Sequence, residues 1–197
     1  QKIEVGQVIA GEPVAVRQQV ADRPVSGCKR SNQKLGGLIL EFWQGEGATE
    51  GNDASCVLRI YHPESGTEWL LPGDITDHME ARYLAYLADR EDLQAPVTRV
   101  LVAPHHGSKT SSSEAWVRAL KPDRVIYTAG YRHRYGHPHP TVAARYAGIG
   151  AVSFNTACSG SIVMTIEDNR LVLKEMRHGT PFWIGGPGLA RDQCKIP

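Results

Sequence analysis

The chain has 197 residues, a formal net charge of +1, 41% hydrophobic residues and 22% charged residues. That length suits one domain, or a domain plus a tail, and the composition excludes wholesale disorder. A charge so close to neutral excludes a global basic field, so any nucleic-acid contact must come from a local patch.

The chain opens on Gln1 rather than Met, in KIEVGQVIAG, without a signal-peptide pattern, and reads as a piece of something longer. No apolar run approaches the ~20 residues that cross a bilayer. Twenty Gly and twelve Pro imply many turns, as in a mixed α/β fold. Residues 4–10 and 12–20 alternate weakly and predict short strands, and 21–34 is polar and turn-rich. Residues 37–43 (GLILEFW) predict a strand, 44–53 a loop, and 55–61 (SCVLRIY) the next strand. After a turn at HPESGTE, with Gly66 as its positive-φ residue, EWLL at 68–71 completes a hairpin.

Thr76 or Asp77 can cap a helix over 78–89, with Met79, Tyr83, Leu84 and Leu87 on one face. VTRVLVA at 97–103 predicts a buried strand between prolines, 111–120 a serine-capped helix, 124–128 a strand, and 140–148 a helix opened by Pro140. Strands at 151–155 and 161–166 follow, and 170–176 closes a hairpin. The stretch from Gly185 has the composition of a disordered tail, so the domain is expected over 1–184 and the tail over 185–197. Strands alternating with helices from about 68 to 155 predict an α/β layer architecture.

The four cysteines, Cys28, Cys56, Cys158 and Cys194, form no CxxC pair, which argues against a zinc knuckle. They are buried hydrophobes, or disulfides if the compartment is oxidising, with Cys28 and Cys56 the more plausible bridge.

Three segments place chemistry just after a predicted strand, where α/β proteins build sites. In LLPGDI, Gly73 allows a sharp turn and Asp74 can point into a cleft as a zinc or manganese ligand. The plain alternative is an Asp that starts a turn or caps a helix. In VAPHHGSKTSSS, the adjacent His105 and His106 precede Gly107, which permits close backbone approach. Ser108, Lys109, Thr110 and Ser111 then lead into a helix start able to receive phosphate. The alternative is an exposed His pair followed by ordinary serine capping. YRHRYGHPHP packs His133, His137 and His139 with Arg132, Arg134, Tyr131 and Tyr135. Interleaved cations and aromatics suit a phosphate backbone and stacked bases, or proton transfer to a leaving oxygen; the alternative is a basic loop that only confers solubility. His62, His78 and His178 read as ordinary surface residues.

In that order and spacing, LLPGDI, VLVAPHHGSKTSSS and AGYRHRYGHPHP resemble the ComEC family of DNA-uptake membrane proteins, over roughly residues 5–183. The resemblance implies a metallo-β-lactamase-type αβ/βα sandwich, with Asp74 and His106 as metal ligands of a site for two divalent ions, zinc or manganese. It implies that His105 orients His106 or touches substrate, that His137 contacts substrate phosphate or acts as an acid, and that Ser108 and Lys109 contact phosphate. Thr110, Ser111, Arg134, Tyr135 and His139 complete the expected substrate-binding set, with Lys109 and His137 as the catalytic pair. The family further implies a nuclease domain that degrades the non-transported DNA strand and lies on the periplasmic side of a bacterial inner-membrane channel. Its partners would be single-stranded DNA and the rest of that channel protein, with no small-molecule cofactor. Such placement adds weight to a Cys28–Cys56 bridge.

One departure matters. The family's first ligands come from an SHxDxDHxGG-like block, the counterpart of the superfamily's HxHxDH, and no such string occurs here. The sandwich is therefore expected to be incomplete, lacking its N-terminal half. This chain alone is expected to bind metal weakly or not at all, to be inactive, and to expose apolar surface. Two rival readings are a metal-independent DNA-binding or guiding module with a vestigial site, and a hydrolase of another phosphodiester.

Overall fold

The computed structural model describes residues 6–20, 23–90, 95–130 and 134–176. The expected tail, Cys194, His178, the first five residues and the 131–133 part of the basic loop lie outside them.

Val8–Ala10 (β1) pairs in parallel with Val25–Gly27 (β2). Between them Pro13–Gln19 forms a helix, α1, where alternation predicts a strand. Pro13 enters the first turn with φ already set. Arg17 donates from Nε and Nη2 to the Val25 carbonyl, at 3.2 and 2.8 Å, and docks the turn onto β2. The helix has seven residues and buries none, so it has no apolar stripe for periodicity to report. Cys28 and Cys56 are bridged across a Cα separation of 5.7 Å, which ties the end of β2 to the approach of the next sheet.

The main sheet has seven strands in sequential order. Ser31–Leu35 (β3) pairs antiparallel with Leu38–Trp43 (β4) around a Gly36-Gly37 turn, in which Gly36 takes φ 58°. The polar stretch 21–34 thus holds β2 and most of β3. The sequence gives no sign of β3 because all five of its residues are exposed at the sheet edge. Val57–His62 (β5) and Thr67–Leu71 (β6) continue the antiparallel half. Thr98–Val102 (β7), Arg124–Tyr127 (β8) and Val152–Asn155 (β9) add a parallel half.

Each parallel step crosses over through a helix: Asp77–Ala88 (α2), Glu114–Leu120 (α3) and Pro140–Gly148 (α4). Right-handed crossovers to successive neighbours put all three helices on one face. There Trp43, Val57, Leu70, Leu101, Val125 and Tyr127 of the sheet meet Met79, Tyr83, Trp116, Val117, Val142 and Tyr146 in one core. Thr156–Ser159 (α5) is a single turn, and Ile162–Glu167 (β10) with Arg170–Glu175 (β11) forms the expected hairpin.

Successive side chains of a strand point to opposite faces. Leu40, Phe42, Leu58, Ile60, Trp69 and Leu71 therefore line the face away from the helices, and all six are only half-buried. At the start of the parallel strands, Arg59 pairs with Glu41 and Glu68 at 2.6 Å each, and Arg99 also bonds Glu68. This network sits at the far end of β6 and β7 from the loops described next.

Candidate functional site

Gly73 and Asp74 follow β6. Gly73 takes φ +67°, and a Cβ there would lie 2.8 Å from Ser55 Cβ. Ser55 Oγ accepts the Asp74 N–H at 3.0 Å, and Asp53 Oδ1 accepts from Thr76 N and Oγ1 at 3.0 and 2.8 Å. The loop before β5 thus pins the turn that presents Asp74. Thr76 begins α2 but spends its hydroxyl on Asp53 rather than on a helix cap.

After β7 the backbone makes a tight turn through Pro104–Gly107. His105 (φ 48°, ψ 43°) and His106 (φ 59°, ψ 15°) are both left-handed, and Gly107 follows at φ 81°. Left-handed non-glycine residues are strained and gather where surroundings over-determine them. Here the His105 N–H donates to the Gly73 carbonyl at 3.0 Å, stitching the two site loops together. A Cβ on Gly107 would come within 2.8 Å of Tyr127 Cδ1 and 2.9 Å of Pro138 Cβ. The expected close backbone approach is therefore an approach to the protein's own ring and proline. The Gly107 carbonyl accepts the His139 N–H at 2.9 Å, which brings the HPH segment onto the His-His turn.

Asp74 and His106 converge: Oδ1 lies 3.7 Å from Nε2, and the side chains are 42% and 43% exposed. Metal–ligand bonds of about 2.0–2.2 Å can both reach one cation across that gap. The donor set suits zinc or manganese, but it is two ligands where three or four protein ligands are usual. Among the described residues, no group of three or more His, Cys, Asp and Glu gathers as a metal cage.

The His105, His106 and His137 rings form a triangle with centroid separations of 6.2–6.3 Å. Tyr135 stacks on His137 at 5.9 Å, and the Arg134 guanidinium lies 4.7 Å over Tyr135. Both neighbours of Tyr135 in that stack belong to the protein. Lys109 and Thr110 are exposed beside the turn, and Thr110 Oγ1 lies 3.4 Å from His105 Nδ1.

Three expected substrate contacts are placed differently. Ser111 is 1% exposed, and its hydroxyl donates to the Pro104 and Ser108 carbonyls, so it holds the loop from inside instead of meeting phosphate. Ser108 is buried with its hydroxyl 3.1 Å from Thr110 Oγ1. His139 caps α4, its Nδ1 accepting the Thr141 N–H at 3.3 Å. The helix expected from Ser111 begins at Glu114, with Ser113 Oγ accepting the Trp116 N–H at 3.2 Å. The N–H groups of Ser112 and Ser113 go to the carboxylate of Glu80, fully buried on α2. Burial pushes the Glu80 carboxyl above its usual range, against the opposing hydrogen bonds from Ser113 and Ser112.

Sequence reasoning missed Glu80, Ser55, Asp53 and Thr128. Thr128 Oγ1 lies 3.0 Å from His106 Nδ1. Each acts at long range, and no local spacing announces it.

No protein-family model matches the chain. It is 26% identical over 184 residues to "Competence protein ComA" of Neisseria gonorrhoeae, covering 92% of the chain and 25% of that protein. It is 34% identical over 91 residues to "ComE operon protein 3" of Bacillus subtilis, covering 46% of the chain and 11% of that protein. It is 28% identical over 142 residues to "Recombination protein 2" of Haemophilus influenzae, covering 72% and 17%. The chain spans a quarter or less of the length of these curated relatives. All three carry ComEC-family names, and it is this competence family that the chain resembles, over 46–92% of its residues.

Proposed function

We propose that this chain is the C-terminal part of a metal-dependent phosphodiester hydrolase domain that acts on DNA during uptake by a longer competence protein. The carrying observation is the convergence of Asp74 and His106 at 3.7 Å, at the ends of adjacent parallel strands. The names of the relatives support the DNA-uptake setting. The half-buried apolar sheet face opposite the helices supports an incomplete αβ/βα sandwich, whose second half lies outside this chain.

In this reading Asp74 and His106 hold one side of a metal site. A divalent cation there would supply Lewis-acid polarisation of phosphate and activation of water. Lys109 and Arg134 bring positive charge to the phosphate from the exposed rim, and His137, stacked under Tyr135, is placed to pass a proton to the leaving oxygen. In the same reading the domain lies on the outer face of the bacterial inner membrane, the setting that the family resemblance implies.

The test is Asp74→Ala and His106→Ala in the full-length protein, with single-stranded DNA and manganese or zinc. Loss of cleavage in both variants is expected, and undiminished cleavage ends the proposal. A second reading, a metal-independent DNA-guiding module, draws support from the two-ligand site. It would show in the same assay as DNA binding that needs no metal and weakens steeply with salt.

A further inference from the structure

We infer that Thr128 is a positioning residue: its hydroxyl fixes the ring of His106 so that Nε2, and not the carbon Cε1, faces Asp74. The inference rests on the reading of Asp74 and His106 as a cation site and adds to it the residue that aims one ligand.

Thr128 Oγ1 lies 3.0 Å from His106 Nδ1, while His106 Nε2 lies 3.7 Å from Asp74 Oδ1. The two nitrogens therefore have different tasks, one against a hydroxyl and one toward the carboxylate. The imidazole alone does not dictate that choice, because rotating the ring by 180° about χ2 exchanges Nδ1 with Cδ2 and Nε2 with Cε1, which would turn a carbon toward Asp74. The hydroxyl supplies the bias.

Thr128 is itself held. It directly follows β8, and Thr156 Oγ1, at the start of α5, bonds the carbonyls on either side of it: Tyr127 O at 3.3 Å and Ala129 O at 2.9 Å. Asn155 Oδ1 caps the same turn by accepting the Ala157 N–H at 2.9 Å. The strand end that carries Thr128 is thereby locked to β9, and β-branching restricts its χ1. His106 cannot yield easily either, since it sits in a left-handed turn between His105 and Gly107.

A hydroxyl suits this position for a chemical reason. When Nε2 offers its lone pair to a cation, the proton of the neutral ring sits on Nδ1, and Thr128 Oγ1 accepts it. When Nε2 carries the proton toward the carboxylate, the same hydroxyl turns round and donates to Nδ1. One residue thus supports both states without moving. Valine at 128 keeps the shape and supports neither, while serine keeps the hydroxyl and supports both.

The experiment compares wild type, Thr128→Ser and Thr128→Val by long-range ¹H–¹⁵N correlation of the histidine rings at fixed pH, with folding checked by the backbone amide spectrum. In the metal-free protein, Thr128→Val should move the His106 Nδ1 resonance while leaving His62 and His78 in place, and Thr128→Ser should stay near wild type. Zinc is then titrated into the full-length protein carrying each residue at position 128. Thr128→Val should bind about 10- to 100-fold more weakly at His106, the range for loss of a ligand's outer partner, with Thr128→Ser again close to wild type. A His106 spectrum and zinc affinity unchanged in Thr128→Val overturn the inference. Zinc that leaves His106 of the full-length wild type unperturbed overturns the cation-site reading alone, whereas metal-free spectra in which Thr128→Val leaves His106 unmoved overturn the positioning role, so the two failures are distinguishable.

Discussion

Gly107→Ala is a sharp test of how the site loops are built. The added methyl would sit 2.8 Å from Tyr127 Cδ1 and 2.9 Å from Pro138 Cβ, at a backbone φ of +81°. Tyr127 is fully buried in the core beside Tyr146, so its ring has nowhere to retreat. A left-handed conformation costs a non-glycine residue roughly 1–2 kcal/mol. Forcing a methyl into a packed contact adds about 1–3 kcal/mol. The combined loss should be near 3 kcal/mol, which for a domain of this size lowers the midpoint of thermal unfolding by about 6–12 °C. Urea denaturation followed by tryptophan fluorescence measures it, since Trp116 shares the core with Tyr127. The same variant should push Pro138 outward and separate His137 from His106, lengthening their 6.2 Å ring spacing and weakening ring-to-ring nuclear Overhauser contacts. A loss under about 0.5 kcal/mol, the scale of an ordinary surface change, would refute the packing argument and with it the claim that Gly107 sets the distance between the HH and HPH segments.

Removing the Cys28–Cys56 bridge by paired alanine substitution opens a loop of 28 residues and should lower stability by about 3–4 kcal/mol, read as a fall in urea midpoint. Glu80→Ala strands the N–H groups of Ser112 and Ser113 and should lower stability by about 2–5 kcal/mol. The Glu80 carboxyl is raised in the folded protein, so the folded state binds its proton more tightly than the unfolded state does. Its contribution to stability is therefore fully present below the ordinary value of 4.5 and declines as pH rises through the folded value. Glu80→Gln should lack that decline, and parallel wild-type and variant stability curves from pH 4 upward would refute the assignment.

The sequence made the parallel half of the sheet readable because its strands and helices carry clean periods. Residues 97–103 and 140–148 announce themselves with apolar runs bounded by proline, and β7 and α4 fall where that pattern puts them. The N-terminal part was harder for a physical reason. The helix α1 buries nothing and β3 is wholly exposed, so their conformations come from Arg17, the Gly36-Gly37 turn and backbone pairing instead of a hydrophobic pattern. The candidate ligands divide in the same way. Asp74 and His106 lie just past strand ends, where local pattern reaches. The residues that aim them, Ser55, Asp53 and Thr128, lie 19 to 22 positions away in chain order, and only the tertiary fold joins them. Ser111 misled because a serine run before a helix reads as a cap, while the helix takes its cap from Ser113 and its anion from Glu80.

The balance of support around the two site loops bears on the proposed cation site. His105, His106 and Ser112 all occupy left-handed backbone within eight positions of one another. Each is held by partners from other elements: the Gly73 carbonyl for His105, the Thr128 hydroxyl for His106, and Glu80 with Tyr146 for Ser112. Such conformations persist only where the surroundings over-determine them. A solubility loop or a simple cap needs none of that reinforcement. Yet Asp74 and His106, the groups so carefully placed, keep about two-fifths of their side-chain surface in solvent. Rigid presentation at an open, solvent-facing gap is what the proposed cation site requires of Asp74 and His106, and a solubility loop would have no use for it.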